Sequence, residues 1–130
     1  MENNKHIKKK KAIAFDFAGV IANHDGEAFV SEETFTQMSP NQKVVETMHA
    51  LKEKGYKIII HSTISDELVY KYCKKHAIVV DEINKNSDYV SGNNGKPVAH
   101  VYVDDRAVQY NGQSTKELTE QIVDFKPYWK

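Results

Sequence analysis

Acidic and hydroxyl side chains follow apolar runs at three places in this sequence. Asp16 closes the run AIAFD, Ser62 and Thr63 follow KIIIH, and Asp104 and Asp105 follow VYV. Taken alone, Asp16 reads as a cap on the turn that Ala18 and Gly19 begin, and Asp104-Asp105 as a solvated loop. Together they make a different case. Clustered carboxylates repel one another unless a cation compensates them. A hard divalent cation such as magnesium binds through one or two carboxylates plus water and phosphate oxygens. A hydroxyl from Ser62 or Thr63 can donate to a phosphoryl oxygen, and Lys96 can place an ammonium on the same group. A nucleophile, a metal and donors for the equatorial oxygens are the parts that phosphoryl transfer needs. Aspartate is a nucleophile type for such transfer, through an aspartyl-phosphate.

These groups share one site only if the elements carrying them converge. Residues 12–17 read as a buried strand ending in a turn, and residues 20–38 as a short hairpin or flap around Asn23-His24-Asp25-Gly26. Ser39 and Pro40 signal a helix start, Val44, Val45, Met48 and Leu51 recur at helical spacing, and Gly55 ends the run. Residues 57–61 form a second buried strand. Ser65 caps a second helix, with Asp66 and Glu67 at its positive end, Leu68, Val69 and Tyr72 on its apolar face, and Lys74, Lys75 and His76 closing it. A short strand at 78–80, a polar loop at 84–95, a strand at 98–103 and a helix at 114–125 complete the order. Leu118, Ile122 and Phe125 lie on one side of that last helix, and the tail 126–130 brings its aromatics back onto the body. This alternation predicts an α/β fold: a three-layer, Rossmann-like parallel sheet with helices on both faces and working groups at the carboxyl ends of the strands.

Composition bounds the rest. At 130 residues, 40% hydrophobic and 28% charged, one globular domain is expected, basic at 1–11 and catalytic over 12–130. The single cysteine, Cys73, excludes an internal disulfide and suits a reducing cytoplasm; it reads as packing. No apolar run is long enough to span a membrane, and none follows the N-terminal lysines as a signal peptide would require. The zero net charge combines a basic head, Lys5, Lys8, Lys9, Lys10 and Lys11 against Glu2, with an acidic body. The head reads as a solvated, disordered terminus or, more sharply, as a contact for nucleic acid or another anionic surface.

The order of these features resembles the haloacid dehalogenase-like superfamily of phosphotransferases, its small phage and bacterial members included. IAFDFAGVI resembles that family's first motif, an apolar strand followed by Asp-x-Asp-Gly; IIIHS resembles the second, Lys96 the lone lysine of the third, and VYVDDRA the acidic pair of the fourth. The resemblance spans about residues 12–112. It implies that Asp16 is the nucleophile and a magnesium ligand, and that the backbone carbonyl of Ala18 is a second ligand. It also implies that Ser62, or Thr63 one position on, binds the phosphoryl group, and that Lys96 stabilises nucleophile and phosphate. Asp104 would ligate the metal directly, and Asp105 directly or through water. The implied activity is hydrolysis of phosphomonoesters.

Position 18 departs from the pattern. Hydrolytic members carry there a second aspartate, which protonates the leaving oxygen and then activates water. Alanine has no proton to give, although a backbone carbonyl ligand survives the change. Three readings fit Ala18: an engineered substitution that disables a phosphatase, a natural residue as in the phosphonatase branch and its C–P hydrolysis, or a phosphate- or nucleic-acid-binding module that has lost catalysis. The larger size and helical cap of the phosphonatase branch count against the second reading.

The interval from Asp16 to Ser62 already holds a flap and a helix, and that from Ser62 to Lys96 a helix, a strand and a loop, so neither has room for a cap domain. An uncapped site suits a nucleotide, a polynucleotide end or a phosphoprotein, or a sugar phosphate where an oligomer supplies the lid. Among the remaining residues, His61 reads most simply as a hydrogen-bonded strand histidine, with a place in the site as the sharper alternative. His24 and Asp25 read as turn residues, Arg106 pairs with a carboxylate, and the histidines show no zinc spacing.

Overall fold

The structure, a computed structural model, describes residues 9–24, 26, 31–89 and 95–130. Four strands, β1 (Ala12–Asp16), β2 (Lys57–His61), β3 (Glu82–Ile83) and β4 (Val101–Val103), form one sheet in the order β3-β2-β1-β4. Every pairing is parallel. The helices are α1 (Glu32–Thr36), α2 (Gln42–Glu53), α3 (Asp66–Lys75) and α4 (Thr115–Val123). This is the expected α/β, Rossmann-like class. Between β1 and β2 the described elements are α1 and α2, and between β2 and β4 they are α3 and β3. None of the helices is long and apolar enough to cross a membrane.

The alternation of side chains along β1 and β2 sorts the core into two faces. Ile13 and Phe15 pair in register with Ile58 and Ile60, and all four are buried with Val45 and Met48 of α2, Val69, Tyr72 and Cys73 of α3, and Phe35 of α1. One face of the sheet thus carries three helices. The other presents Ala12, Ala14 and Ile59, fully buried, with Ala99 against them. Coil covers this second face where a helix was expected. His100 donates its backbone N–H to the Ala12 carbonyl (2.8 Å) and accepts the Ala12 N–H at Nδ1 (3.0 Å). The small alanines let that segment lie close. The last helix, α4, is capped by a reciprocal Ser114–Glu117 box. It packs against none of the described strands or helices. The apolar side expected on this helix is open at Ile122 and Phe125.

Several boundaries differ from the sequence expectation, each for a local reason. α2 starts at Gln42 with Asn41 at its N-cap, because Ser39 is engaged elsewhere: its carbonyl takes the Asn23 N–H (2.9 Å) and its hydroxyl the Asn23 amide (2.9 Å). The segment expected as a hairpin contains α1 instead, with the Ser31 hydroxyl accepting from the Thr34 N–H; residues 25 and 27–30 lie outside the described residues. The third strand is at 82–83 rather than 78–80. Leaving α3 through Ala77 at positive φ (55°), the chain buries Ile78 and meets β2 at Asp81, whose N–H donates to the Ile58 carbonyl (2.8 Å), so that strand pairing begins with Glu82 opposite Ile59. The fourth strand is confined to 101–103, since Tyr102 donates its hydroxyl back to the Pro97 carbonyl (2.6 Å) and so keeps 97–100 in a turn. Of the basic head and the polar loop, 1–8 and 90–94 lie outside the described residues.

An unforeseen polar network locks the second face. Lys57, at the start of β2, is buried and holds Glu82 at 2.6 Å, Asp88 at 3.2 Å and the Asn86 side-chain oxygen at 2.9 Å. The Asn86 amide donates on to the Val98 carbonyl. Breaking a buried pair from one side leaves an uncompensated charge. Lys57→Ala is therefore expected to cost about 3–5 kcal/mol in urea denaturation, whereas the double change Lys57→Met with Glu82→Gln costs markedly less. Equal losses in the two variants would show that the ion pair is not what matters there.

Candidate active site

β1 ends at Asp16 because the next residues fold back on themselves. The N–H groups of Ile21 and Ala22 both donate to the Phe17 carbonyl at 2.9 Å, and Gly19 at φ +85° allows the turn to close. Phe17 is fully buried and packs edge-on against Tyr72 (centroids 4.8 Å apart), which anchors the turn from below. The Asp16 carboxylate then accepts the Phe17 N–H at 2.8 Å. Beside it, β2 ends in register, with His61 opposite Asp16. Past His61 the chain turns sharply. The Ser62 N–H donates to the Asn84 side chain (2.8 Å) and the Ser62 hydroxyl accepts the Ile64 N–H (3.0 Å). Asn84 itself sits at positive φ (57°) and donates its amide to Asp66 (2.6 Å). On the other flank of β1, the Asp104 carboxylate accepts the Arg106 N–H (2.8 Å) and so points back over the strand ends.

These ends surround a cleft of about 420 Å³ bordered by Asp16, Ala18, His61, Ser62, Thr63, Asp104 and Arg106, with Phe35 and Ile64 as its apolar wall. Most residues singled out in the sequence therefore meet here. Asp105 lies behind the cleft, where its carboxylate takes the Trp129 indole N–H at 2.5 Å. Lys96 sits at the edge: its ammonium lies 4.6 Å from the Tyr102 ring centroid, and its charge reaches His61. Arg106 lies over the Trp129 ring (5.4 Å) rather than in an ion pair, among the described residues. Cys73 is buried, and burial pushes its thiol up to about 11, in keeping with packing.

The aromatic tail does return to the body, and it does so at the site. Tyr128 donates its hydroxyl to the Gly19 carbonyl (2.6 Å), and the Trp129 ring stacks on His24 at 3.5 Å and 5°. A Cβ on Gly19 would overlap the Asp105 carboxylate and come within 3.0 Å of the Trp129 indole nitrogen. Only glycine lets turn, carboxylate and tail meet. Trp129, Asn84 and His61 are the site residues that sequence reasoning missed or undervalued. The strand register could have promoted His61, but nothing local in the sequence signals Asn84 or the distant Trp129.

The electrostatics are those of acids crowded in a partly buried rim. Burial, a hydrogen-bonding contact with the Asp105 carboxyl and the charge of Asp104 together lift Asp16 to about 8, against the opposing pull of the Phe17 N–H. With both ionised, the Asp105 Oδ1 is a buried oxygen with no hydrogen-bond partner. The His61 Nε2 is likewise buried and unpartnered. Burial also lowers the proton affinity of His61, with Lys96 acting in the same direction and Asp104 opposing. One ligand atom each from Asp16, His61 and Asp104 lie within 4.8 Å of one another. Orphaned acceptors around a raised carboxyl are what a divalent cation would satisfy.

No protein-family model and no curated protein matches the sequence. Solved structures do match. A conserved protein from Bacteroides thetaiotaomicron is 23% identical with a TM-score of 0.55, over 88% of this chain and 90% of that one. A chain of the Pnkp1/Rnl/Hen1 RNA repair complex is 22% identical with a TM-score of 0.57, over 88% of this chain but 38% of that one. A further structure of the Pnkp1/Rnl/Hen1 complex gives 17% identity and a TM-score of 0.50, over 92% and 36%. The chain thus spans little more than a third of those longer proteins. At these identities the likeness is one of fold.

Two outcomes test the geometry. Asp16 is held at about 8 in the folded protein against an ordinary 3.8, so its contribution to stability is fully present below about pH 4 and is lost as the pH rises through 8. In a chelator at pH 8, Asp16→Asn should therefore melt several degrees above the unaltered protein, with the gap closing at pH 4; about 3–5 °C corresponds to 1 kcal/mol at this size. A pH-independent gap would contradict the crowding of the carboxyls. Trp129→Phe keeps the ring on His24 and removes the donor to Asp105. It should cost about 1.5–3 kcal/mol, the range for a hydrogen bond to a charged group, in denaturation at pH 8.

Proposed function

We propose that residues 12–130 form an uncapped phosphotransferase domain of the haloacid dehalogenase-like type, which binds a phosphomonoester against Asp16 with a divalent cation, magnesium being sufficient. The observation that carries this reading is the convergence of Asp16, Asp104, Asp105 and Ser62 at the ends of three parallel strands, with Asp16 lifted to about 8 by burial and by the neighbouring acids. Asp16, Asp104 and Asp105 offer hard oxygen donors that fit such an ion, and the unpartnered Asp105 Oδ1 marks where compensation is lacking. The ion, when bound, offsets the charge of the carboxylates and of the phosphate.

The chain's own residues divide the rest of the work. Asp16 attacks phosphorus, forming a new carboxyl oxygen–phosphorus bond as the bond to the leaving oxygen breaks. The Ser62 hydroxyl, already fixed by the Ile64 N–H, donates to a phosphoryl oxygen, and Lys96 swings from Tyr102 to a second one. Ala18 borders the cleft where a proton donor for the leaving oxygen is needed. Alanine supplies none, so leaving groups that depart as stable anions suffer least. The likeness to a chain of an RNA repair complex, the uncapped cleft and the lysine-rich head favour a polynucleotide end as substrate. Ala18 also supports a second reading, in which the same site binds a terminal phosphate and does not turn it over.

The deciding experiment is Ala18→Asp with magnesium across phosphoesters that include phosphate-ended oligonucleotides. General acid–base help is worth about a hundred- to ten-thousand-fold, and a gain of that order, abolished by Asp16→Asn, is expected. No gain on any ester would remove the phosphatase reading. Salt-dependent binding of the oligonucleotide that disappears when residues 1–11 are deleted would then favour the binding module.

A further inference from the structure

We propose that His61 is a ligand of the cation, making the centre a mixed site of carboxylates and one imidazole that prefers manganese, iron(II) or cobalt(II) to magnesium. The inference rests on the cation-binding part of the reading above. It does not require that the bound phosphate turn over.

Three independent features place His61 in the site. The parallel register sets it directly opposite Asp16, so both side chains leave their strands on the same side of the sheet. One of its ligand atoms lies within 4.8 Å of ligand atoms of both Asp16 and Asp104. Its Nε2 is buried and has no hydrogen-bond partner. A histidine kept in a strand end for packing alone would spend that nitrogen on a carbonyl or hydroxyl, since an unmet buried polar atom costs about 1–3 kcal/mol. The ring is held edge-on against Tyr102 (centroids 5.8 Å, 87°), and the Lys96 ammonium over the same tyrosine adds positive charge beside it.

The donor set decides the metal. Magnesium takes oxygen ligands and keeps its waters, so an imidazole adds little to its binding. First-row transition ions gain from imidazole nitrogen, in the order manganese, iron, cobalt. Asp16 and Asp104 with one histidine give two carboxylates and one nitrogen, which such ions accept readily.

The test uses the full chain and manganese alone. Pulsed electron paramagnetic resonance of the manganese-loaded protein should show coupling to a nitrogen nucleus, and His61→Gln should abolish it. In competition titrations, His61→Gln should weaken manganese binding on the order of 10–100-fold while changing magnesium affinity by less than about threefold. Asp104→Asn should weaken both ions. Absence of nitrogen coupling in the unaltered protein overturns the proposal even if His61→Gln fails to fold. So does an unchanged manganese-to-magnesium ratio in a folded His61→Gln variant. Nitrogen coupling in a protein whose Ala18→Asp variant hydrolyses nothing would leave His61 a ligand and remove the phosphatase reading. Magnesium-dependent hydrolysis by Ala18→Asp without nitrogen coupling would do the reverse.

Discussion

The parallel register between β1 and β2, running from Ala12↔Lys57 to Asp16↔His61, sets most of what this molecule can do. Strand ends that finish level bring their last side chains to one rim, and here those side chains are an acid and an imidazole. β4, paired with Ile13 to Phe15 on the other flank, delivers Asp104 and Asp105 to the same rim. A slip of one residue in either pairing would turn these groups to the opposite face. The register is fixed by burial: Ile13, Phe15, Ile58 and Ile60 must face α2 and α3 together, and Ala12, Ala14 and Ile59 must face the coil that closes the other side. The crowding of carboxylates is thus a consequence of the core, and the core contributes the stability that holds like charges together.

The tail adds a second constraint. Trp129 reaches Asp105 from 24 residues away, across an arm whose helix packs against no other described strand or helix. The tail is tied to the body through Tyr128 on the Gly19 carbonyl and Trp129 on Asp105 and His24. The Trp129–Asp105 contact depends on the missing Cβ of Gly19, whose place it occupies. The first turn after Asp16 therefore does two jobs. It aims Asp16 and Ala18 at the cleft, and it seats the C-terminal residues against the acid that completes the cluster.

Much of this was legible in the sequence. Runs such as KIIIH and AIAFD are buried on both faces and read as parallel strands without ambiguity, so the order of elements and the identity of the rim residues follow. The boundaries were not legible where side chains compete for roles. Ser39 has the chemistry of a helix cap, yet it bonds to Asn23 instead. Ile78 to Val80 has the composition of a strand, yet geometry delays pairing until Glu82. The coil over Ala12 and Ala14 could not be foreseen, because the histidine and lysine that organise it, His100 and Lys57, act through contacts far apart in sequence. The same holds for Asn84 and Trp129. Sequence periodicity reports which face a residue occupies, not which distant group it meets there.

Ala18 acquires a physical sense from this crowding. Burial first, and then the Asp105 and Asp104 carboxylates beside it, already hold Asp16 at about 8. A fourth carboxylate on the neighbouring turn would add repulsion that the nearest described cations are not placed to meet; Lys96 lies over Tyr102 and Arg106 over Trp129. Alanine at this position lowers the charge that the strand ends must hold while leaving the backbone carbonyl and the cleft wall in place. Under the proposed function, position 18 thus faces opposite demands: a carboxylate there would supply the proton that turnover needs, and alanine spares the folded site its repulsion.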